Sequence, residues 1–480
     1  MAERLGPRRA RGSLLDKLRK IIGSPSIMLA FSSFSRAGSY LLPVPFLYQV
    51  GTATAAFWLL AITLIGLQNL LFLGTPQILV RMLAAANSGI PHADANQVPS
   101  VSDLSRLMRI VFGSAAVIST LAMLTFGTWS VVAVARHIDN RLDVWGAWLI
   151  IALSSPLRII ILSRLTFLNG LGEIARARLN DGLAWIVSGT LSAFAIFATE
   201  SLLYMALASQ LPIVISAMML TRMANARGWK AYGVARTTAP IGRIASQVWP
   251  PAWRAGLGSL LSTGARQGAG IVLAQFVSPA QTAGYLLALN GISVIMMLSA
   301  APLQSALHII SAHFARGETN AHVLASEAAR ARSLWITALL AGAVALAIPL
   351  LPLIGWKHAF VDSTTWCLLA AGLMVQRYAA AHLQHYTVTN HVIWHWLDGL
   401  TGVFNIGLCA TLIPLAGTKG AALANLLSLL PLYAWVPTWM AVRRFHMRWP
   451  ETDIYTALIP AAALFASLGL AAALGAILPR

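Results

Sequence analysis

From residue 25 to residue 477 the chain is a succession of apolar stretches long enough to cross a bilayer, separated by short polar turns. A helical span needs roughly 20 apolar residues. By that measure spans fall at about 25–48, 53–80, 107–135, 145–164, 182–199 and 201–221, then at about 252–277, 282–309, 333–355, 364–387, 394–415 and 419–442, with one more at about 454–477. In hydrocarbon every backbone polar group must be paired within the segment, so such stretches form helices. The expected fold is an all-α polytopic membrane protein. Only 10% of the 480 residues are charged, against about 25% in ordinary soluble domains. The two cysteines, Cys367 and Cys409, both lie in apolar segments, so neither a disulfide framework nor a thiolate metal site is implied.

The longest polar break runs from Arg222 to Arg254 and holds Arg222, Arg227, Lys230, Arg236, Arg243 and Arg254 without a single Asp or Glu. It divides the chain into a basic arm (1–24), a six-helix lobe (25–221), a basic linker (222–251), a second six-helix lobe (252–442) and an extra helix (443–480). If the N-terminus is placed inside the cell, 25 Lys and Arg fall in inner segments, and the five outer ones are Arg136, Arg141, Lys357, Lys419 and Arg480. This is the charge asymmetry of a multi-pass protein with a cytoplasmic N-terminus. It accounts for most of the formal charge of +19 without a nucleic-acid partner, and no segment is long enough to form a soluble basic domain.

The halves repeat. Trp58-Leu59-Leu60-Ala61 in the second span corresponds to Tyr285-Leu286-Leu287-Ala288 in the eighth, and each fourth span opens on a tryptophan, Trp148 and Trp366. A short outer turn with Asp139 and Asp143, or with Asp362, precedes each of these tryptophans. Six spans per half give both halves the same orientation, a parallel repeat whose substrate is expected between the lobes near the midplane.

Four arginines remain inside spans: Arg36, Arg158, Arg266 and Arg377. They occupy matching helices, the first and fourth of each half, and Asp398 is the one acid that falls clearly within a span. An arginine at the bilayer centre costs roughly 2.5–3.5 kcal/mol on insertion scales, so such residues are expected to face protein or a wet cavity. Guanidinium stays charged and suits bidentate phosphate binding, so a ring of four predicts an anionic ligand. Asp398 and Asn405 share a helical face and fit a coupling proton or sodium ion, or a counter-ion to a cavity arginine. Gln68, Asn69 and Asn290 read as interhelical hydrogen bonds. His382, His385, His391 and His395 read as an interfacial polar face rather than a metal site. No P-loop, HExxH or nucleophile elbow is present, so nothing points to a hydrolytic or ATP-driven engine.

Several short motifs resemble the polysaccharide branch of the multidrug/oligosaccharidyl-lipid/polysaccharide exporter superfamily, the O-antigen and exopolysaccharide flippases. They are Phe57-Trp58-Leu59-Leu60-Ala61 through Leu71-Phe72-Leu73-Gly74 with Val80-Arg81, Ala283-Gly284-Tyr285 with Ala315-Arg316-Gly317, and Gly417-Thr418-Lys419-Gly420-Ala421-Ala422. The resemblance covers about residues 25–442; the extra span departs from the common twelve-helix form and from the two-helix extension of lipid II flippases. It implies a non-enzymatic transporter of the bacterial inner membrane that moves an undecaprenyl-pyrophosphate-linked oligosaccharide by alternating access. Membrane lipids and the polysaccharide polymerase or export machinery are its implied partners. A small-molecule exporter, a membrane glycosyltransferase and a scaffold subunit of a polysaccharide synthase are the rival classes.

Overall fold

The computed structural model describes residues 22–72, 74–88, 99–234, 240–354, 360–386, 394–447 and 451–477. Its first half contains α1 (Pro25–Leu41, extended by Val44–Val50), α2 (Thr52–Leu67, extended by Gln68–Phe72 and Thr75–Ser88) and α3 (Val101–Ala122, extended by Met123–Gly127 and Thr128–Ala135). These are followed by α4 (Arg141–Leu153 and Ser155–Gly170), α5 (Ile174–Thr199) and α6 (Leu202–Ala226). A short connecting helix, α7 (Trp229–Val234), leads into the second half. There α8 (Ile241–Phe276), α9 (Pro279–Ala315), α10 (Thr319–Ala347, extended by Ile348–Ile354) and α11 (Ser363–Tyr386) match the first four helices. The fifth and sixth spans are the two arms of α12 (Trp394–Leu429), which bends at Gly417, continued by α13 (Val436–Phe445). Gly417 has a positive φ of 55°, and a Cβ on the nearby Gly420 would stand 1.9 Å from the Leu412 carbonyl oxygen, so this turn requires glycine at both positions. The last span is α14 (Glu451–Asp453, Ile454–Leu458 and Ile459–Ile477). Eight of the described helices are long and apolar enough to cross a membrane. The chain is a polytopic helical membrane protein of two pseudo-symmetric six-helix lobes plus one helix.

The repeat is built into the packing. In the first lobe α5 lies along α1, where a Cβ on Gly182 would meet the Phe31 ring at 2.5 Å and one on Gly189 would meet the Ser39 Cα at 2.6 Å. In the second lobe the first arm of α12 lies along α8 in the same way, with a Cβ on Gly402 reaching 2.3 Å from the Leu261 carbonyl oxygen. Small residues let membrane helices approach backbone to backbone. Trp148 and Trp366 are both fully buried, and each indole N–H donates to the preceding span, to Thr128 Oγ1 at 2.9 Å and to the Ala341 carbonyl at 3.0 Å. Two of the outer-turn acids, Asp143 and Asp362, are helix caps. Asp143 accepts from the Leu202 and Leu203 backbone N–H groups, and Asp362 from those of Thr364 and Thr365. Carboxylates at helix N-termini satisfy orphan donors there.

The segment read as a linker is largely helical. Trp229 on α7 is buried edge-on against Phe167, and the Arg109 and Arg164 guanidiniums stack on its indole at 5.1 and 4.3 Å. α8 begins at Ile241, eleven residues before the expected span, and its first turns bury Ile244, Val248 and Ala252 in the first lobe's core. Residues 1–21 of the basic arm, Arg236 and the His391 position lie outside the described residues.

Two buried acids correct the charge reading. Asp181 and Asp453 both lie within helices, at 1% and 6% exposure, and both are paired. Asp453 on α14 meets Arg330 on α10 at 2.8 Å, and its other oxygen accepts from the Tyr378 hydroxyl, which fastens the extra helix to the second lobe. A hydropathy average drops where charged residues gather near a helix end, whereas a paired carboxylate and guanidinium are tolerated inside the helix.

Candidate functional site

A cavity of about 480 Å³ opens between α1, α2, α4 and α5 of the first lobe and is completed by α8 and α9 of the second. Its charged lining residues are Arg36 on α1, Arg158 on α4 and Arg178 on α5. Tyr40, Gln68, Trp185, Gln267 and Asn290 supply the rest of its hydrogen-bonding capacity.

Close contact of α1 with α5 sets the first half of this site. Asp181 and Trp185 share a face of α5 one turn apart, and the Trp185 indole N–H donates to Asp181 Oδ1 at 3.1 Å. Arg36 reaches across from α1, 3.4 Å from the Asp181 carboxylate and 5.0 Å over the Trp185 ring. Arg178, a turn earlier on α5, stands 3.8 Å from the same carboxylate. The carboxylate side chain is 2% exposed, whereas that of Arg36 is 40% exposed and faces the cavity. Asp181 thus acts as a fixed anchor behind two guanidiniums that present their outer edges to the space.

Arg158 is held differently. It lies near the middle of α4, where the helix breaks before Ser155-Pro156. It donates to Ser154 Oγ at 3.2 Å and to Gln210 Oε1 on α6 at 3.0 Å. These acceptors are neutral, so they orient the group without cancelling its charge. Three guanidiniums against one carboxylate leave the cavity cationic among the described residues. Two uncharged acceptor or donor atoms, Gln68 Nε2 and Gln267 Oε1, are buried at its wall without a protein partner. A buried polar atom left unpaired costs about 1–3 kcal/mol, which suits a wall that a polar ligand or water completes.

The expected ring of four is only partly assembled here. Arg36 and Arg158 line the cavity together. Arg377 is 4% exposed in the second lobe, donates to the Met296 carbonyl of α9 at 3.2 Å, and is not among the cavity-lining residues. The side chain of Arg266 lies outside the described residues. Arg178 and Asp181 were missed because α5 starts at Ile174, eight residues before the span read from hydropathy. The i, i+3 spacing of Arg178 and Asp181 was the available signal. Asn290 donates to the Leu286 carbonyl of its own helix rather than to another helix, and Gln68 has no partner on Nε2; the Asn69 side chain lies outside the described residues.

A second, smaller chamber of about 30 Å³ lies in the second lobe, lined by Asp398, Thr401, Asn405, Asn425 and Ser428 among others. Asn405 Nδ2 donates to Ser428 Oγ at 3.3 Å. Its lining is rich in oxygen, and its volume suits one ion or water. His382 and His385 do not form an interfacial face. His382 and His385 are 1% and 2% exposed; Arg330 donates to His382, and His385 stacks on Phe445 at 4.2 Å. The His395 side chain lies outside the described residues, and no group of metal-ligating side chains occurs among those described.

The sequence matches no protein-family model and no curated protein. Solved structures do match its fold. The lipid II flippase MurJ in an inward closed conformation superposes with a TM-score of 0.64 over 94% of this chain and 96% of its own, at 12% identity. An outward-facing multidrug resistance MATE family transporter of the MOP superfamily gives 0.54 over 89% and 98%, at 16% identity. A MOP superfamily transporter from Pyrococcus furiosus, described as having a binding pocket of reverse polarity, gives 0.52 over 89% and 96%, at 14% identity. The chain therefore has the fold of these transporters. Helix count had set lipid II flippases apart from it, yet the superposition spans nearly the whole of one.

Proposed function

We propose that this chain is a flippase of the bacterial inner membrane, N-terminus in the cytoplasm, that moves an undecaprenyl-pyrophosphate-linked oligosaccharide from the inner to the outer leaflet for O-antigen or exopolysaccharide synthesis. The observation that carries the reading is the cavity's charge. Three guanidiniums, Arg36, Arg158 and Arg178, line the cavity, and among the described residues the one carboxylate paired with any of them is Asp181, at the seam between two lobes of a transporter fold. Guanidiniums in a low-dielectric space hold a pyrophosphate through charge-assisted, bidentate hydrogen bonds. The same field repels cationic drugs, which weighs against a MATE-type exporter of such compounds. A solute of this kind needs no covalent chemistry from the protein, only alternating exposure of one site to the two sides. The Asp398–Asn405 chamber is our candidate for the coupling ion, a proton or Na⁺, since its oxygen lining suits either.

Arg158→Ala is the direct test, with reconstituted vesicles and a fluorescent lipid-pyrophosphate oligosaccharide as the probe. The expected result is a loss of flipping of at least about tenfold, the equivalent of one charge-assisted contact of about 1.5–3 kcal/mol, with membrane insertion unchanged. Full flipping activity in the inserted variant would reject the reading.

A further inference from the structure

A lipid-linked head group in the cationic cavity must let its apolar chain out sideways, between the lobes. Two seams are available. Along one, α1 faces α9, and the cavity wall there carries Ser33, Arg36, Ser293 and Met297. An apolar chain leaving by that route would lie against a guanidinium side chain that is 40% exposed and would strip it of water. Along the other, α2 and α3 face the first turns of α8, and a separate groove of about 340 Å³ lies there. Its walls are Leu71 and Phe72 from α2, Leu107 and Val111 from α3, and Val248 and Trp249 from α8, with Thr75 and Ser246 as its polar lining residues.

The groove and the cavity share one wall residue. Phe72 lines both, is 3% exposed, and is braced by the Phe112 ring at 5.2 Å. Leu71 and Trp249 are 38% and 56% exposed. A molecule with an anionic head and a long hydrocarbon tail would thus find charge on one side of Phe72 and carbon on the other.

We infer that the α2–α3–α8 groove is a binding site for the polyprenyl-type tail of the same molecule whose phosphorylated head occupies the arginine cavity, with Phe72 as the partition the tail passes. This inference rests on the flippase reading above and adds to it the seam through which the substrate is held.

The test uses the full chain in nanodiscs and a polyprenyl pyrophosphate carrying a photoactivatable diazirine in its tail. Adducts are mapped to peptides by mass spectrometry. The expected labels fall on α3 near Leu107–Val111 and on α8 near Val248–Trp249, and excess undecaprenyl pyrophosphate displaces them. Filling the groove with Val111→Trp should cut that labelling about tenfold and leave Arg158-dependent binding of inorganic pyrophosphate unchanged. Labelling concentrated on α1 and α9 would overturn the inference. So would groove labelling that phosphatidylcholine displaces as well as the pyrophosphate lipid does, because any bilayer lipid would then suffice. Failure of the flippase reading has a separate signature, probe binding that is indifferent to Arg158→Ala.

Discussion

Asp181→Asn separates the two tasks the cavity's one acid performs, anchoring Arg36 and Arg178 and lowering the field that a ligand meets. The substitution is isosteric, and its carbonyl oxygen still accepts the Trp185 indole N–H that now reaches Oδ1 at 3.1 Å, while an amide NH2 replaces the Oδ2 that Arg36 and Arg178 face, so the charge and that acceptor are removed. The carboxylate stands 3.4 Å from Arg36 and 3.8 Å from Arg178. Coulomb's law at an effective dielectric of about 20 gives roughly 4–5 kcal/mol for each pair as an upper bound. Exposure of the Arg36 side chain to the cavity reduces its share to the surface range of about 1 kcal/mol or less. Both guanidiniums then turn their full charge to a ligand, which should raise affinity for a pyrophosphate lipid by about 1–2 kcal/mol, or five- to thirtyfold. Titration calorimetry with undecaprenyl pyrophosphate in detergent, run at two salt concentrations, reads the change directly. The gain should shrink at high salt, as a screened interaction must. Stability should fall, since two buried guanidinium edges lose their anion. A folded variant with wild-type or weaker affinity would refute the reasoning, because Asp181 would then not be competing with the ligand for Arg36.

Three further outcomes follow from the packing and the pairing. Gly189→Leu and Gly402→Leu should each lower the melting temperature in detergent, since both force apart helices whose backbones are in contact, at a cost of about 1–3 kcal/mol or more; an unchanged melting curve for either would contradict the close approach. Arg330→Met should destabilise by about 3–5 kcal/mol by stranding Asp453, whereas Arg330→Met with Asp453→Leu should recover most of it, as a double-mutant cycle in chemical denaturation would read. Trp148→Phe and Trp366→Phe each delete one indole hydrogen bond to the preceding span and should cost about 1 kcal/mol apiece, an equality that tests the repeat as well as the bonds.

Much of the scaffold was legible because membranes impose a length. Each read span corresponds to a helix or a helix arm, and Trp148 and Trp366 mark the same place in both lobes with the same kind of hydrogen bond. Arg36 and Arg158 stood out as charges with no loop to occupy. What stayed hidden were the charges that are buried because they are paired. Arg178 with Asp181, and Arg330 with Asp453, look like loop residues to any average over hydropathy, since each lies just outside the apolar stretch that reads as a span, although inside its helix. Gln267 was hidden for another reason. It is one amide among many, and only the folded chain reveals that its oxygen faces the cavity wall without a partner.

The lobes share a scaffold but divide the chemistry unequally. Arg158 and Arg377 sit on equivalent helices, yet the first is oriented by side chains at a cavity wall and the second donates to a backbone carbonyl in a closed interior. Among the described residues the second lobe has turned its buried charges inward, Arg330 toward Asp453 and His382, and offers the cavity neutral polar groups, those of Gln267, Asn290 and Ser293. On the function proposed above, in which two bodies rock apart around a bound anion, this division has a mechanical consequence. A head group gripped from both lobes by guanidiniums would bridge them with charge-assisted bonds of about 1.5–3 kcal/mol each, all resisting separation. With the described charge on one lobe, the proposed ligand would stay on the arginine side while the neutral contacts, each about 0.5–1.5 kcal/mol, are exchanged for water. On that reading the asymmetry lets the site hold its substrate throughout the motion without locking the two lobes together.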